Sequence, residues 1–250
     1  MPRSPRNFYS SNFFHVIVQG INKEYIFSEE EYIKKYKENL LKYRNKYNII
    51  IISYCIMNNH AHMLLYSENI LNISQFMKSV NTSYAAYYNK VQERVGYVFR
   101  DRFLSEPITN KKYLFNCIAY IHNNPVKANI VRNADEYSYS SYKDYINKTG
   151  IATEEVLDLV FDSNSDYINK YVEIHNTETE FKDIQEEYLN YKYIIEDFEK
   201  NLKMTIHEIK NNKECLKKLV QKLKDDSGLS IRKISRILDI DRRKLSKILK

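Results

Sequence analysis

The feature that most constrains the fold is a pair of neighbouring segments separated by two asparagines. The first segment, Ile49 to Met57, is largely apolar; the second, His60 to Tyr66, begins by alternating polar and apolar residues after Asn58 and Asn59. A short apolar run bounded by turn residues is typical of a buried strand, and asparagine tolerates the backbone of tight turns. The pattern therefore predicts a β-hairpin.

The second strand of this hairpin carries two histidines, His60 and His62, two residues apart. Residues at this spacing lie on the same face of a strand, so the two imidazoles would lie side by side while Ala61 and Met63 face a core. Imidazole is a common ligand of divalent metals. Two partly buried histidines without a metal would give the same pattern, so a third ligand and a reacting group are needed to indicate a metal site.

The other segments predict the order β-α-β-β-α-β followed by a helix. Runs of aromatic and β-branched residues predict the strands, and apolar residues at helical spacing predict the helices, the last of which is ended by Pro125. The predicted strands are Phe13 to Gly20, Ile49 to Met57, His60 to Tyr66 and Tyr97 to Phe103, and the predicted helices are Glu29 to Tyr47, Ile73 to Val95 and Lys111 to Asn123. This order is typical of an α+β fold, a ferredoxin-like antiparallel sheet with helices on one face, here followed by an all-α C-terminal extension.

The last of these helices offers the missing ligand and a reacting group. Tyr120 and Asn124 are four residues apart and share a helix face. An amide oxygen beside two imidazole nitrogens leaves positions open for phosphate oxygens and suits Mg²⁺ or Mn²⁺. A phenol, with a pKa of about 10, is a poor nucleophile at neutral pH unless a cation lowers that value. Other tyrosines compete for this role; they are Tyr84, Tyr87, Tyr88 and Tyr113.

The charge balance indicates the kind of partner. The formal net charge of +7 favours an anionic partner, with nucleic acid as the first expectation. No stretch approaches the roughly 18 apolar residues of a membrane span, so no membrane partner is expected. The cysteines Cys55, Cys117 and Cys215 are odd in number and far apart, which is typical of a protein in a reducing cytoplasm.

The end of the chain is strongly basic. Residues 225–250 read as helix, short turn and helix, with Ser230 and Asp241 as caps, and resemble a helix-turn-helix. The basic residues on or near its second helix are Arg242, Arg243, Lys244 and Lys247. A basic helical hairpin that packs on the protein or contacts phosphates nonspecifically is the alternative. Arg100 and Arg102, alternating on the predicted fourth strand, are further candidates for contact with a DNA backbone.

Several segments together resemble a known family. FFHVIVQG, SYCIMNNHAHMLL, GYVFRDRF, YIHNNPVKANIV and YSYSSYKDY, in this order, resemble the single-tyrosine HUH transposases of the IS200/IS605 type, and most closely their REP-associated tyrosine transposase branch. The resemblance covers about Arg6 to Tyr145. The pair His-hydrophobic-His followed by Tyr-x-x-x-Asn-Pro is its most specific part.

The resemblance implies a mechanism and the residues that perform it. His60, His62 and Asn124 would hold a divalent ion, and Tyr120 would attack a DNA phosphate to form a 5′-phosphotyrosine bond and free a 3′-OH. Such enzymes act on single-stranded DNA and recognise small hairpins beside the cleavage site. This chain departs from the family at Gln19, where an arginine is usual, so a DNA contact would be lost there.

The predicted domains are a catalytic domain at 1–150, a helical connector at 151–224 and the helix-turn-helix-like segment at 225–250. Two other functions stay open: a catalytically silent DNA-binding regulator derived from such a transposase, and a rolling-circle replication initiator or relaxase-like nickase. The sequence leaves the oligomeric state open between a monomer and a homodimer.

Overall fold

The structure is a computed structural model. It describes residues 11–100, 102–162, 164–177, 181, 184–227, 229 and 231–248, without the side chains of 184–190, 192–193 and 226–227.

A four-stranded antiparallel sheet forms the centre of the N-terminal part. Its strands are β1 (Phe13–Gln19), β2 (Ile50–Ile56), β3 (His60–Tyr66) and β4 (Leu104–Ile108), in the order β2-β3-β1-β4. The predicted hairpin is β2 and β3, closed by a 2.8 Å hydrogen bond from the Met57 amide to the His60 carbonyl. This strand order is the ferredoxin-like order, so the predicted fold class is confirmed.

Helices cover both faces of the sheet. Helices α1 (Glu30–Arg44) and α2 (Ile70–Val91) pack on one face, in the core that contains Val16, Ala61 and Met63. Helix α3 (Lys111–Lys127) packs on the other, in a core shared with Leu64 and Ile52. The predicted placement of the helices on one face therefore holds for α1 and α2 but not for α3.

The fourth strand lies later in the chain than predicted. Residues 97–100 and 102–103 are irregular apart from a bridge between Phe99 and Gly20, and the strand begins at Leu104. Leu104 to Ile108 pair with β1, which places the apolar Ile108 against Phe13. Tertiary pairing here overrides the alternating pattern, and β4, at the edge of the sheet, tolerates Pro107.

The second helix is also shifted from its prediction. It begins at Ile70, where the Asn69 side chain accepts a 2.9 Å hydrogen bond from the Leu71 amide, so Asn69 is its cap. It ends at Val91, four residues before the predicted end, and Glu93 follows with a positive φ of 48°.

Helix α3 continues through Pro125 to Lys127, so the prediction that this proline ends the helix is wrong. Proline removes one backbone donor and restricts the residue before it. Here it lies in the last turn of the helix. Hydrogen bonds from the Ala128 amide to the Asn124 carbonyl and from the Ile130 amide to the Pro125 carbonyl cap the end of the helix. Asn124 thereby remains on the helix, one turn after Tyr120.

The tyrosine- and serine-rich segment 137–145 lines the outer edge of β2. The Ile56 amide donates to the Tyr139 carbonyl at 3.0 Å, and the Tyr54 amide donates to the Ser141 hydroxyl at 2.9 Å. The Tyr137 and Tyr145 hydroxyls donate to the carbonyls of residues 56 and 52 at 2.8 and 2.6 Å. Backbone groups that an edge strand would leave unpaired are thus hydrogen-bonded.

The rest of the chain is helical. Helices α4 (Tyr142–Asn147), α5 (Glu154–Phe161) and α6 (Tyr167–Asn176) share the core of α3, and Phe8–Phe181 form one compact unit. The second compact unit contains Lys182–Lys250. The predicted domain boundaries at 150 and 224 stay a prediction.

The C-terminal unit has its own apolar core. It contains α7 (Ile184–Leu202), α8 (Ile206–Asn211), α9 (Lys213–Ser227), α10 (Ile231–Leu238) and α11 (Arg242–Ile248). The Asp241 side chain accepts hydrogen bonds from the Arg243 and Lys244 amides at 2.9 and 3.2 Å, as predicted for a cap of the last helix. The predicted cap Ser230 lies outside the described residues. Helices α10 and α11, joined by a short turn, have the local form of a helix-turn-helix.

Candidate active site

The histidine pair lies on the face of the sheet that α3 covers. Ala61 and Met63 enter the core with α1 and α2, so the period of the strand directs His60 and His62 to the opposite face. Their ring centroids lie 4.9 Å apart. His62 is completely buried, and His60 is partly exposed.

A third histidine, His15, completes the cluster and was not predicted. It lies on β1, beside β3, where its Nε2 is 3.1 Å from Nδ1 of His62, and the two rings stack at 5.3 Å. The sequence gives one indication of this position: His15 lies on the same face of its strand as Phe13 and Ile17, whereas Phe14 and Val16 lie on the other face, in the core with α1 and α2. That signal becomes informative only once the β1–β3 register is known.

Burial keeps these imidazoles neutral. Desolvation lowers the pKa of His15 to about 3 and that of His60 to about 4, and it lowers the pKa of His62 well below its ordinary value, with smaller contributions from His60, His15 and Lys127. A neutral imidazole has one lone pair for an acceptor or metal bond. If His62 carries its proton on Nδ1, it donates to Nε2 of His15 and leaves its own Nε2 unprotonated.

The predicted nucleophile lies against this cluster. The Tyr120 ring centroid is 5.6 Å from that of His62 and 5.9 Å from that of His15. The Nζ atom of Lys127 lies 4.5 Å from the centre of the Tyr120 ring. Lys127 was not singled out from the sequence, although it follows Tyr120 by two helical turns and therefore shares its face. A nearby cation favours the charged form of a phenol.

The predicted amide ligand is held by its own helix. The Asn124 side-chain nitrogen donates a hydrogen bond to the Tyr120 backbone carbonyl at 2.9 Å. The side-chain oxygen is then the atom of Asn124 that could coordinate a metal. The Nε2 atom of His62 is buried without a hydrogen-bond partner in the described part of the chain, and Nδ1 of His60 lies 2.6 Å from the Asn59 side-chain oxygen.

This donor set fits a divalent cation, because two neutral imidazole nitrogens and one amide oxygen can each offer a lone pair. Among the described residues, no group of three or more His, Cys, Asp or Glu side chains could hold a metal ion. Asn124 as the third protein ligand stays a prediction.

The competing tyrosines of α2 are separated from the histidines by the sheet itself. Tyr84 and Tyr88 lie in the core of α1 and α2, and the Tyr87 hydroxyl donates to the Glu31 carboxylate at 2.5 Å. Tyr113 shares the face of Tyr120, but its ring stacks on Phe181 at 4.8 Å.

Phe181 covers the cluster. Its ring lies 4.7 Å from that of Tyr120 and 5.3 Å from that of His15, and Tyr120 is only 4% exposed. Nothing in the local sequence around Phe181 predicts this contact, which joins residues 61 positions apart in the chain.

A guanidinium lies close to the Gln19 side chain. Arg100 Nη1 donates to the Gln19 side-chain oxygen at 3.4 Å, and the Arg100 amide donates to the Gln19 carbonyl at 2.8 Å. Gln19 is directly opposite His60 in the β1–β3 register. Arg102 is exposed, and its carbonyl accepts a hydrogen bond from Asn81. Both arginines precede β4, so they do not alternate on a strand as predicted.

The basic residues predicted for the last helix lie in the C-terminal unit. Arg242, Arg243, Lys244 and Lys247 are all exposed on α11. No helix in the described part of the chain combines the length and apolarity needed to cross a membrane.

Comparisons with known proteins find similarity to transposases. Residues 8–124 match the family model described as "Transposase IS200 like". A Haemophilus influenzae protein named "Putative REP-associated tyrosine transposase" is 25% identical over 140 residues, which is 52% of this chain and 78% of that protein.

A solved structure of a REP-associated tyrosine transposase bound to a REP hairpin covers 61% of this chain and 90% of its own, with 15% identity and a TM-score of 0.50. At that identity the likeness concerns the fold. The similarity of residues 8–124 to the IS200-like transposases agrees with the fold that the sequence predicts.

Proposed function

We propose that this protein cleaves and rejoins single-stranded DNA through a covalent bond to Tyr120. The observation that carries the proposal is the contact of the Tyr120 ring with His62, 5.6 Å away, and with the Lys127 ammonium group, 4.5 Å away. A phenol beside a cation and neutral imidazoles has the surroundings that a phosphate-attacking nucleophile requires.

In the proposed step, the Tyr120 oxygen attacks the phosphorus of a DNA phosphodiester. A bond forms between phosphorus and the phenol oxygen, and the bond from phosphorus to the 3′ oxygen breaks. The phenol loses one proton, and the leaving 3′ oxygen gains one to become the free 3′-OH. Attack by a second 3′-OH reverses the step and rejoins the strand. Lys127 would stabilise the charge on the phenol oxygen.

His60, His62 and Asn124 would hold Mg²⁺ or Mn²⁺. When bound, such an ion polarises the phosphodiester and stabilises the charge that develops on it. His15 would orient His62 through the 3.1 Å contact between their ring nitrogens, and Asn59 would orient His60.

The substrate would be DNA that contains a hairpin. The solved relative is described as bound to a REP hairpin. Arg100 and Arg102, beside the β1 end that faces His60, would contact the DNA backbone near the cleavage site. In the C-terminal unit, Arg242, Arg243, Lys244 and Lys247 would contact DNA through α11.

The experiment is capture of a covalent adduct. A labelled single-stranded hairpin oligonucleotide is incubated with Mn²⁺ and the full chain, and the adduct peptide is sequenced by mass spectrometry. We expect the label on Tyr120, with no adduct from Tyr120→Phe. The matched control is Tyr113→Phe, on the same helix face. An unchanged adduct yield from Tyr120→Phe would contradict the assignment.

The metal ligands need a separate measurement. His60→Ala combined with His62→Ala should abolish Mn²⁺ binding in a titration followed by electron paramagnetic resonance, while circular dichroism stays unchanged. Normal Mn²⁺ affinity in this variant would refute the ligand set.

A catalytically silent DNA-binding protein is the second candidate. The observation that favours it is the burial of Tyr120 beneath Phe181. The same adduct experiment decides, because a silent protein would bind the hairpin but give no adduct under any metal condition.

A further inference from the structure

The C-terminal unit contains a cleft that is lined almost entirely by positive and apolar groups. Its volume is about 320 Å³. The lining residues are Lys210, Asn211, Lys213, Leu216, Lys244, Lys247 and Ile248. Four of these seven are lysines and none is acidic, so the cleft has the charge of an anion site.

The lysines come from three different helices. Lys210 lies in the last turn of α8 and Lys213 begins α9, on either side of the α8–α9 turn. Lys244 and Lys247 are three residues apart and therefore share one face of α11. Their convergence on one cleft depends on the packing of α11 against α9, so the local sequence does not reveal it.

The base of the cleft is apolar and buried. Leu216 of α9 is 1% exposed and Ile248 of α11 is 7% exposed, and both belong to the core of this unit. The two helices are held in place by these contacts, which fixes the spacing of their lysines without a ligand. A preformed site loses less conformational entropy on binding than one that must be ordered.

The nearby carboxylates are engaged elsewhere. Glu214 pairs with Lys218 at 3.0 Å, and Glu208 accepts hydrogen bonds from Thr205 at 2.7 and 2.8 Å. Within the described residues, no ion pair is found for the four lysines of the cleft. Four clustered ammonium groups repel one another, and an anion between them removes that cost.

We infer that this cleft binds a backbone phosphate of duplex DNA. The inference rests on the proposed DNA-binding role of α11 and deepens it. Lysine ammonium groups bind phosphates as point charges. A nucleic-acid backbone is the anion that would also meet the exposed basic face of α11 beside the cleft.

The cleft divides the basic residues of α11 into two groups. Lys244 and Lys247 line it, whereas Arg242 and Arg243, at the start of the helix, do not. In helix-turn-helix proteins the start of the second helix contacts base edges, while phosphate contacts set its position. The lysines of the cleft would therefore anchor the DNA, and the two arginines would read its sequence.

The test measures duplex binding by the full chain. Fluorescence anisotropy with labelled 20-base-pair duplexes gives Kd over a range of salt concentrations. Each lost phosphate contact should reduce the slope of log Kobs against log salt by about 0.9. Lys210→Gln combined with Lys213→Gln should therefore reduce the slope by about 1 to 2 and weaken binding equally for duplexes of different sequence.

The matched control removes the same charge elsewhere on the unit. Lys200→Gln combined with Lys217→Gln replaces two exposed lysines that do not line the cleft. An equal loss of slope in both double variants would overturn the inference, because it would indicate a diffuse charge effect. Stronger competition by a polyglutamate peptide than by duplex DNA of equal charge would also overturn it, since the occupant would then be an acidic protein segment.

A third variant separates this inference from the role of α11. Arg242→Gln combined with Arg243→Gln should change which duplex sequence binds most tightly. If this variant loses duplex binding while the Lys210/Lys213 variant keeps it, the cleft is not the phosphate site but α11 still binds DNA. If neither variant changes duplex binding, both ideas are wrong. Adduct formation at Tyr120 with a single-stranded hairpin is an independent readout.

Discussion

Replacing Phe181 by alanine tests whether access to Tyr120 is controlled by one ring. Phe181 is 8% exposed and contacts the rings of Tyr120, Tyr113 and His15 at 4.7, 4.8 and 5.3 Å. Burial of a phenylalanine side chain contributes about 2 to 3 kcal/mol. Each aromatic pair adds about 0.5 to 1.5 kcal/mol.

These contributions set the size of the effect. A loss of about 3 kcal/mol from the closed arrangement would raise the population with Tyr120 uncovered by about 100-fold, since 1.4 kcal/mol is a factor of ten. The rest of the unit need not unfold for this change, because local openings occur well below the global unfolding free energy.

Tyrosine nitration by tetranitromethane, followed by peptide mass spectrometry, measures this access. We expect nitration of Tyr120 to become up to about 100-fold faster in Phe181→Ala, while the completely buried Tyr145 serves as an internal reference. The matched control is Phe161→Ala, a 3% exposed ring that stacks on Phe115 at 5.7 Å. A rate at Tyr120 within about twofold of the wild type, or an equal increase in the control, would refute the reasoning.

Three further changes test other contacts. Lys127→Met should lower the rate of adduct formation about tenfold, because Tyr120 loses its neighbouring cation; a quenched-flow rate equal to the wild type would contradict this role. Asn59→Ala should raise the Kd for Mn²⁺ about 10- to 100-fold, because it frees the ring of His60, and unchanged affinity would contradict it. Burial lowers the pKa of His175 to about 4, so the unfolded chain binds a proton here between about pH 6.5 and 4 that the folded chain does not. The contribution of His175 to the unfolding free energy should therefore be complete above pH 6.5 and should decrease as the pH falls below 6.5, by up to ~3 kcal/mol. In urea titrations at several pH values, His175→Asn should show a smaller decrease.

The sequence alone predicts those features of the fold and the site that depend on residue spacing within one strand or helix. The hairpin of β2 and β3 and the common face of Tyr120 and Asn124 follow from spacings of two and four residues. Ala61 and Met63 pack against α1 and α2, and a shift of register by one residue would carry His62 into that apolar core.

Contacts between distant segments decided what the sequence did not predict. His15 joins the cluster only because β1 pairs with β3, and Phe181 reaches Tyr120 only through tertiary packing. The position of β4 is set by pairing of Leu104 and Ile108 with β1 rather than by the alternation of the residues before them. Pro125 falls in the last turn, so the distortion that it introduces affects only the two residues of α3 that follow it.

The hydrogen bonds along β2 have a consequence for how copies of this protein behave in concentrated solution. An open strand edge is a template on which another chain can add, which leads to domain swapping and aggregation. Here the hydroxyls of Tyr137, Ser141 and Tyr145 occupy that template on one side of the sheet, and Pro107, which has no amide hydrogen, interrupts it on the other. The tyrosines of this segment therefore protect the edge of the central sheet against the addition of strands from other copies, which would lead to intermolecular fibres.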